Sequence, residues 1–188
     1  LIDDHYGIDG VWERIFKANA TNTKVLAIDG QANRAHDCDI LVDPSLSVES
    51  EKRWDALLPA ECLRLVGPKY ALLRPEFNNF KVTKKFKSNL VTIFINFGGI
   101  DKENITELVI NALLEIKSIE LKLEVLLGKK NPNIPALKAK FSVNQKVVFH
   151  VQPPNVAEVM ALADIAISAG GTTIWELCKI AIPTLLIT

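Results

Sequence analysis

The sequence has few of the residues that build cross-links and metal centres. Its 188 residues include three cysteines and three histidines. Cys38, Cys62 and Cys178 lie far apart without a CxxC pair, and the histidines show no HExxH spacing. A disulfide framework and a zinc site are therefore not expected. The same scarcity of cysteine is typical of a reducing compartment, which predicts a cytoplasmic protein.

The sequence also lacks an excess of charge of either sign and a long apolar run. It carries 22 basic and 22 acidic residues, with 13 of each up to Lys87 and 9 of each after it. Domains that bind nucleic acid usually carry a basic excess, so no nucleic-acid partner is expected. No apolar run reaches the ~18 residues of a membrane-spanning helix, so no membrane partner is expected either.

Both ends of the chain fall in apolar segments that look like strands. The chain opens without Met on Leu1-Ile2-Asp3, which resembles the end of a buried strand. Its last residues, 182–188, again read as a strand. The expectation from these patterns is a protein that is incomplete at both termini.

Short apolar segments alternate with helical patterns along the chain, which predicts an α/β fold. The predicted strands are 1–3, 24–28, 39–42, 62–66, 90–97, 121–127, 147–151, 164–168 and a last one near Thr184. The predicted helices begin near Asp9, Val48, Glu103, Asn155 and Thr172. Short apolar strands separated by helices indicate parallel sheets that are covered on both faces.

The segment 77–87 is the predicted boundary between two domains. It contains four lysines and few aliphatic residues. Both a patch for anionic ligands and a solvated connector fit this composition, and the connector is favoured. We therefore predict a first domain over 1–87 and a second over 88–188.

Two glycine pairs directly follow predicted strands. Gly98-Gly99 comes after the strand 90–97, and Gly170-Gly171-Thr172-Thr173 comes after the strand 164–168. Ligands of open α/β sheets bind at the carboxyl ends of the strands, where glycines let the backbone approach a phosphate. A tight turn with Thr172 as the N-cap of a helix is the alternative for the second loop.

Two further charged residues, one in each half of the chain, also allow more than one interpretation. Glu176 could accept hydrogen bonds from ribose hydroxyls, or it could simply be favoured by the helix macrodipole. Arg74 could bind a phosphate, pair with Glu76, or cap a helix end.

The first half of the chain has two polar segments of its own. Asp3-Asp4-His5-Tyr6-Gly7 follows a predicted strand, so that His5 could act as a base and Tyr6 as a hydrogen-bond donor. A polar loop after a strand is the favoured alternative. The segment 33–39 crowds five polar or ionisable side chains between two strands, which is typical of a solvent-exposed loop or of a site.

Together these segments resemble the family of UDP-2,4-diacetamido-2,4,6-trideoxy-β-L-altropyranose hydrolases. The matching motifs occur in the family's order: DHYGID at 4–9, NR with HDCD at 33–39, GP with YALLR and EF at 67–77, ADIAI at 163–167, and GGTT with WE at 170–176. The last motif is shared more widely, with the peptidoglycan N-acetylglucosaminyltransferase and other two-domain glycosyltransferases.

The resemblance implies two Rossmann-like domains of the GT-B type, with UDP held mainly by the second. In this family Gly98, Gly99 and the segment 170–173 would hold the diphosphate, Glu176 the ribose, and the loop 152–155 the uracil. The other substrate-binding candidates in the matching motifs are Asn33, Arg34, His36, Tyr70 and Arg74.

The implied reaction is hydrolysis at the anomeric carbon of a UDP-diacetamido-trideoxyhexose, on the route to pseudaminic acid for flagellin and surface glycans. The resemblance implies a cytoplasmic monomer that needs no metal or other cofactor. The family's catalytic histidine lies in an N-terminal segment that has no counterpart here. Tyr6 matches a tyrosine that family members keep close to the substrate, so the resemblance implies Tyr6 as the catalytic candidate. The alternatives are a GT-B glycosyltransferase that uses a UDP-sugar donor and an inactive nucleotide-sugar-binding fragment.

Overall fold

A computed structural model describes residues 1–49, 51–78, 80 and 90–187. The chain forms two compact units, Leu1–Leu72 and Leu73–Thr188, which we call the first and the second unit. Among the described residues each unit contains one sheet, and the strand pairs are parallel. The α/β class with parallel sheets is confirmed. The predicted boundary at residue 87 falls among residues 81–89, outside the described residues, and stays a prediction.

The first unit is built on a four-stranded sheet in the order β1-β2-β3-β4. Its strands and its helix are β1 Ile2–Asp3, α1 Gly10–Asn19, β2 Leu26–Ile28, β3 Ile40–Asp43 and β4 Leu63–Val66. Helix α1 begins where the sequence predicts, because Oδ1 of Asp9 accepts hydrogen bonds from the backbone N–H groups of Val11 and Trp12 at 3.0 and 3.1 Å.

The segment 48–58 differs from its prediction as a helix. The helical element in its described part is the short 3₁₀ turn Lys52–Trp54. Trp54 is fully buried in the core of the first unit, and its indole N–H donates to Asp43 at 2.9 Å. Arg53 also donates to Asp43 and to the carbonyl of Gly30. These tertiary bonds replace the regular helical ladder.

The second unit is built on a five-stranded sheet in the order β7-β6-β5-β8-β9. Its elements are β5 Leu90–Asn96, α2 Ile105–Glu115, β6 Glu120–Leu127, α3 Ile134–Phe141, β7 Val147–Val151, α4 Val156–Ala161, β8 Ile165–Ala169, α5 Thr173–Lys179 and β9 Thr184–Ile187. None of the described helices of either unit has the length and apolar content to cross a membrane.

Both faces of the second sheet are covered, as its apolar strands predict. Successive residues of a strand point to opposite faces. Phe94 accordingly packs with α4 and α5 in one core cluster, whereas Ile93 and Ile95 pack with α2 and α3 in another. Strand β5 therefore lies at the centre of a layered unit, and its carboxyl end carries the first glycine pair.

Candidate functional site

The strand order of the second unit places both predicted glycine loops at one point of the sheet. From β5 the chain moves outward through β6 to β7, then crosses back to β8 on the other side of β5. The order therefore reverses between β5 and β8. In open α/β sheets ligands bind at such a reversal, outside the carboxyl ends of the strands. The loop after β5 carries Gly98-Gly99, and the loop after β8 carries Gly170-Gly171.

A cavity of about 250 Å³ opens at this edge of the sheet. The loops after β5, β6 and β7 and the start of α5 contribute to its wall, which is formed by Arg74, Asn96, Gly98, Gly99, Leu126, Leu127, Gly128, Lys129, Gln152, Pro153, Val156 and Thr173. The structure thus brings together four residues predicted to bind substrate, namely Gly98, Gly99, Thr173 and Arg74. Gly170, Gly171 and Thr172 belong to the loop that leads into Thr173.

The loop after β5 is held in place by Asn96, a residue that sequence reasoning missed. Its side-chain N–H donates to the carbonyl of Leu126 at 3.0 Å, and its Oδ1 accepts from the backbone N–H of Gly98 at 3.3 Å. Asn96 is buried, and Gly98 has a φ of +80°. A polar residue at the end of an otherwise apolar strand is the signal that could have identified Asn96.

Gly128, at the end of β6, is a second missed residue. A Cβ atom at this position would lie 2.3 Å from the carbonyl oxygen of Gly99 and 2.6 Å from its Cα. The contact is with backbone, so a side chain here would force the glycine loop away. Only glycine lets the loops after β5 and β6 approach this closely.

We expect Gly128→Ala to destabilise the second unit by about 1–3 kcal/mol, the usual range for overpacking. Urea unfolding measures the change. Gly30→Ala is the control, because a Cβ at Gly30 would meet its nearest neighbour at an ordinary 3.5 Å. Equal stability losses for the two variants would contradict the close approach of Gly128 to Gly99.

Thr172 occupies the N-cap position of α5 but makes no capping hydrogen bond through its side chain. The predicted N-cap position of Thr172 is confirmed, although its side chain does not contribute the capping hydrogen bond that the interpretation as a capped turn implies. Gly171 in this loop has a φ of +120°, a conformation that residues with a side chain rarely adopt. A Cβ at Gly171 would meet no atom within 4 Å, so the position faces open space.

Arg74 forms a two-pronged ion pair with Glu176. Its Nε donates to Oε1 at 2.7 Å, and its Nη2 donates to Oε2 at 2.5 Å. The hydrogen bond to Glu176 raises the pKa of Arg74 further above its usual value. Of the roles predicted for Arg74, pairing with Glu76 is minor, because Oε1 of Glu76 lies 3.9 Å from Nε.

The candidates of the first unit separate into a buried and an exposed group. His36 is buried, with Nδ1 at 2.8 Å from Oε1 of Glu13 and Nε2 at 3.1 Å from Oδ2 of Asp29. Arg34 links this network to the surface through Asp29, whose Oδ2 lies 2.9 Å from Nη1 of the arginine. The structure therefore places His36 inside the unit, as part of an internal charge network.

Tyr6 and Asn33 form the exposed group, and the partly buried Arg34 lies beside them. The guanidinium of Arg34 lies 5.8 Å from the centre of the Tyr6 ring and donates to Oδ1 of Asn33 at 3.2 Å. Tyr6 is 62% exposed. Tyr70 lies in the 3₁₀ turn Pro68–Tyr70 after β4, with the ammonium of Lys69 4.8 Å from its ring centre.

Asp3, Glu13 and His36 are the described residues whose donor atoms lie close enough together for a metal ion, all within 4.8 Å. Their spacing in the sequence carries no metal motif, because the fold alone assembles them. Both ring nitrogens of His36 already have carboxylate partners, and a doubly protonated imidazole satisfies both. Burial, followed by the charge of Glu13, raises the pKa of Asp3.

The charge state of His36 should make the stability of the first unit depend on pH. Burial alone would lower the pKa of His36, but hydrogen bonds to Glu13 and Asp29 outweigh it and raise the pKa. The folded state then binds the proton more tightly than the unfolded state, in which the pKa is about 6.5. This stabilisation is fully present below about pH 6.5 and is lost as pH rises through the folded pKa.

Hydrogen exchange of first-unit amides at pH values from about 6 to 9 would measure this loss. We expect His36→Asn to flatten the decline of protection with pH, because asparagine does not titrate. The reading of His36 as a buried cation would be abandoned if the variant and the unaltered protein declined equally.

The architecture of the second unit, with glycine loops at the reversal of a parallel sheet, is that of the doubly wound α/β domains that bind nucleotides. Residues 92–188 match the glycosyltransferase family 28 C-terminal domain. The chain belongs to this family.

Three relatives extend the comparison to most of the chain. A UDP-2,4-diacetamido-2,4,6-trideoxy-beta-L-altropyranose hydrolase of Campylobacter jejuni is 28% identical over 85% of this chain and 55% of its own length. An uncharacterized protein of Methanocaldococcus jannaschii is 31% identical over 79% of this chain and 32% of its own. The spore coat polysaccharide biosynthesis protein SpsG of Bacillus subtilis is 26% identical over 64% and 36%. The chain thus spans about half the length of the first relative and about a third of the others.

Proposed function

We propose that this protein binds a UDP-sugar in the cavity of the second unit and takes part in its hydrolysis to UDP and the free sugar. The observation that carries the proposal is the cavity at the reversal of the sheet, which Gly98, Gly99, Arg74 and Thr173 line and beside which the second glycine loop follows β8. Backbone N–H groups and a guanidinium are the donors that a diphosphate requires. The relation to the family 28 domain and to the Campylobacter UDP-sugar hydrolase supports UDP as the nucleotide.

In this proposal the diphosphate lies against Gly98-Gly99 and the loop 170–173. The uracil lies near Gln152 and Pro153, which form the side of the cavity at β7. Gln152 has a φ of +44°, an unusual conformation for a residue with a side chain, which turns the chain sharply directly after β7. We further propose that the two units are the Rossmann-like domains of a GT-B enzyme of surface-glycan biosynthesis, with the sugar a diacetamido-trideoxyhexose on the route to pseudaminic acid.

The reaction would be attack of water on the anomeric carbon, with UDP as the leaving group. Fixed N–H donors aimed at a leaving diphosphate stabilise the charge that develops on it. His36 is not assigned as the base that activates water, because both of its ring nitrogens are engaged in the interior of the first unit. Tyr6 is exposed beside Arg34 and Asn33, and together they offer hydrogen bonds to a sugar.

Separate calorimetric titrations with UDP, CDP and ADP test the binding site. We expect UDP to bind and the other two to bind at least about tenfold more weakly, the effect of about 1.4 kcal/mol of lost base contacts. A folded chain that binds none of the three would show that the glycine loops are structural turns, and the proposal would fail.

Transfer of the sugar to an acceptor is the second candidate function, and the match to a glycosyltransferase family domain favours it. The two reactions differ in what UDP release requires. A hydrolase releases UDP from its donor in water alone, whereas a transferase releases UDP faster when the acceptor is added. UDP release measured with and without a glycan acceptor decides between them.

A further inference from the structure

The turn that carries Tyr6 comes shortly after β1 and spans the four residues from His5 to Ile8. The backbone N–H of Ile8 donates to the carbonyl of His5 at 3.1 Å, and that of Gly7 donates to Nδ1 of His5 at 3.0 Å. These bonds close the turn, but neither involves the side chain of Tyr6, which is exposed. A short exposed turn has few contacts of its own that would fix such a side chain. The contacts that hold Tyr6 therefore come from another segment.

Arg34, in the loop after β2, supplies these contacts. Its Nε donates to the carbonyl of Ile8 at 2.7 Å, and its Nη2 donates to the carbonyl of His5 at a longer 3.5 Å. These carbonyls belong to the last and the first residue of the turn, on either side of Tyr6. The guanidinium carbon lies 5.8 Å from the centre of the Tyr6 ring, within the range of a cation–π interaction. One planar group thus holds both the backbone and the ring of Tyr6.

The remaining nitrogen of Arg34 is held from the interior of the first unit. Nη1 lies 2.9 Å from Oδ2 of Asp29, whose side chain is fully buried, and it donates to Oδ1 of Asn33 at 3.2 Å. Each of the three guanidinium nitrogens therefore faces an acceptor of the protein, which leaves little capacity for a ligand. Tyr6 is the more exposed of the two side chains, so it is better placed to meet a ligand.

Resting on the proposed function, we propose that Arg34 is a positioning residue that fixes Tyr6 for contact with the sugar and makes no sugar contact of its own. This role differs from the direct substrate binding that the family resemblance implies for Arg34. A tyrosine that is held in one orientation before the ligand arrives loses less freedom on binding, which increases affinity. Arg34 thereby connects the buried Asp29 to the exposed Tyr6.

Fluorine NMR measures directly whether Arg34 fixes Tyr6. The chain contains two tyrosines, so labelling with 3-fluorotyrosine gives two signals, and Tyr6→Phe assigns them to Tyr6 and Tyr70. The label would be introduced into the unaltered chain, Arg34→Ala and Arg34→Lys. Lysine keeps a positive charge beside Asp29, which favours folding, but it lacks the rigid fork that reaches both carbonyls.

We expect the Tyr6 signal of the unaltered chain to differ from its position in urea, because a fixed charge lies over the ring. Arg34→Ala should move this signal most of the way to the position in urea, and Arg34→Lys should move it part of the way. The Tyr70 signal should stay in place, and circular dichroism establishes folding. A Tyr6 signal that stays in place in folded Arg34→Ala would overturn the proposal.

The matched control for this measurement is Arg64→Ala. Arg64 is also an arginine of the first unit that pairs with a carboxylate, since its Nη1 donates to Oδ1 of Asp55 at 2.6 Å. It makes none of the bonds to the Tyr6 turn, so its loss should move neither signal. A shift of the Tyr6 signal in Arg64→Ala as large as that in Arg34→Ala would show a general effect of lost charge and would also overturn the proposal.

Calorimetry separates positioning from direct contact with the sugar. The probes are UDP and UDP-N-acetylglucosamine, whose sugar carries an acetamido group as the proposed substrate does. The ratio of their dissociation constants measures what the sugar adds to affinity. We expect Tyr6→Phe to reduce this ratio by about fivefold, the usual effect of one lost hydrogen bond. Arg34→Ala should reduce it by no more than this, and the double variant should bind as Tyr6→Phe does, because Arg34 acts through Tyr6.

The contrary results of the calorimetry are equally specific. If the losses of the two single variants multiplied in the double variant, Arg34 would contact the sugar itself and would not be a positioning residue. If the unaltered chain bound both probes equally, Tyr6 would make no sugar contact, and the inference would be overturned while UDP binding stood. A folded, unaltered chain that binds neither probe would instead overturn the proposed function.

Discussion

Replacing Gly171 with valine is expected to weaken UDP binding strongly while the chain remains folded. Gly171 has a φ of +120°, which a β-branched residue adopts only under strain. Relaxing that strain would turn the backbone N–H groups of the loop after β8 away from the ligand. The Cβ of the new side chain would also project into the open space at Gly171, where the diphosphate is proposed to lie.

The expected loss of affinity is about a hundredfold, which corresponds to roughly two charge-assisted hydrogen bonds of about 1.5 kcal/mol each. Calorimetric titration with UDP measures it, and circular dichroism establishes folding. Gly67→Val is the matched control, because Gly67 also has a positive φ, +104°, and also faces open space, but lies in the first unit. A folded Gly171→Val variant with the affinity of the unaltered chain would refute the assignment of this loop to the diphosphate.

The largest expected loss of stability follows from Glu13→Ala in the first unit. Glu13 is fully buried on α1, where Oε1 pairs with His36 and Oε2 accepts from the backbone N–H of Asp37. Alanine would leave the buried imidazolium of His36 and the partly buried amide of Asp37 without these partners. Removing one member of a buried ion pair typically costs about 3–5 kcal/mol.

Hydrogen exchange of first-unit amides would report the destabilisation, and Glu13→Gln should show a smaller loss because its amide oxygen still accepts one bond. Glu61→Ala, at an exposed position of the same unit, should change stability by less than about 0.5 kcal/mol. Should Glu13→Ala cost no more than Glu61→Ala, the network around His36 would contribute nothing to the stability of the fold.

The parallel α/β organisation was predictable because apolar strands and glycine-bearing loops are local patterns. Strands β5 to β9 lie within or close to their predicted segments, since strands buried on both faces are mostly apolar. The prediction of a helix over 48–58 was wrong for the opposite reason. There, distant partners decide the local structure, as Trp54 and Arg53 bond to Asp43.

The role of a charged side chain depends on the partner that the fold supplies, which a pattern of residues does not contain. The sequence left Arg74 with three possible roles and Glu176 with two, and the structure joins them in one ion pair. It also places His36 between Glu13 and Asp29, 23 and 7 residues away, in the interior. Asn96 and Gly128 were missed because their importance lies in contacts with the neighbouring loops.

The sequence by itself determined the α/β class, most of the strands and the two glycine loops, because each depends on hydrophobic periodicity or on backbone freedom over a few residues. Tertiary structure alone decided the strand order β7-β6-β5-β8-β9, which brings both loops to the same edge of the sheet. The tertiary structure also decided which acidic side chain pairs with which basic side chain. Pairing across tens of residues is set by the packing of the sheet and its helices, which local sequence does not encode.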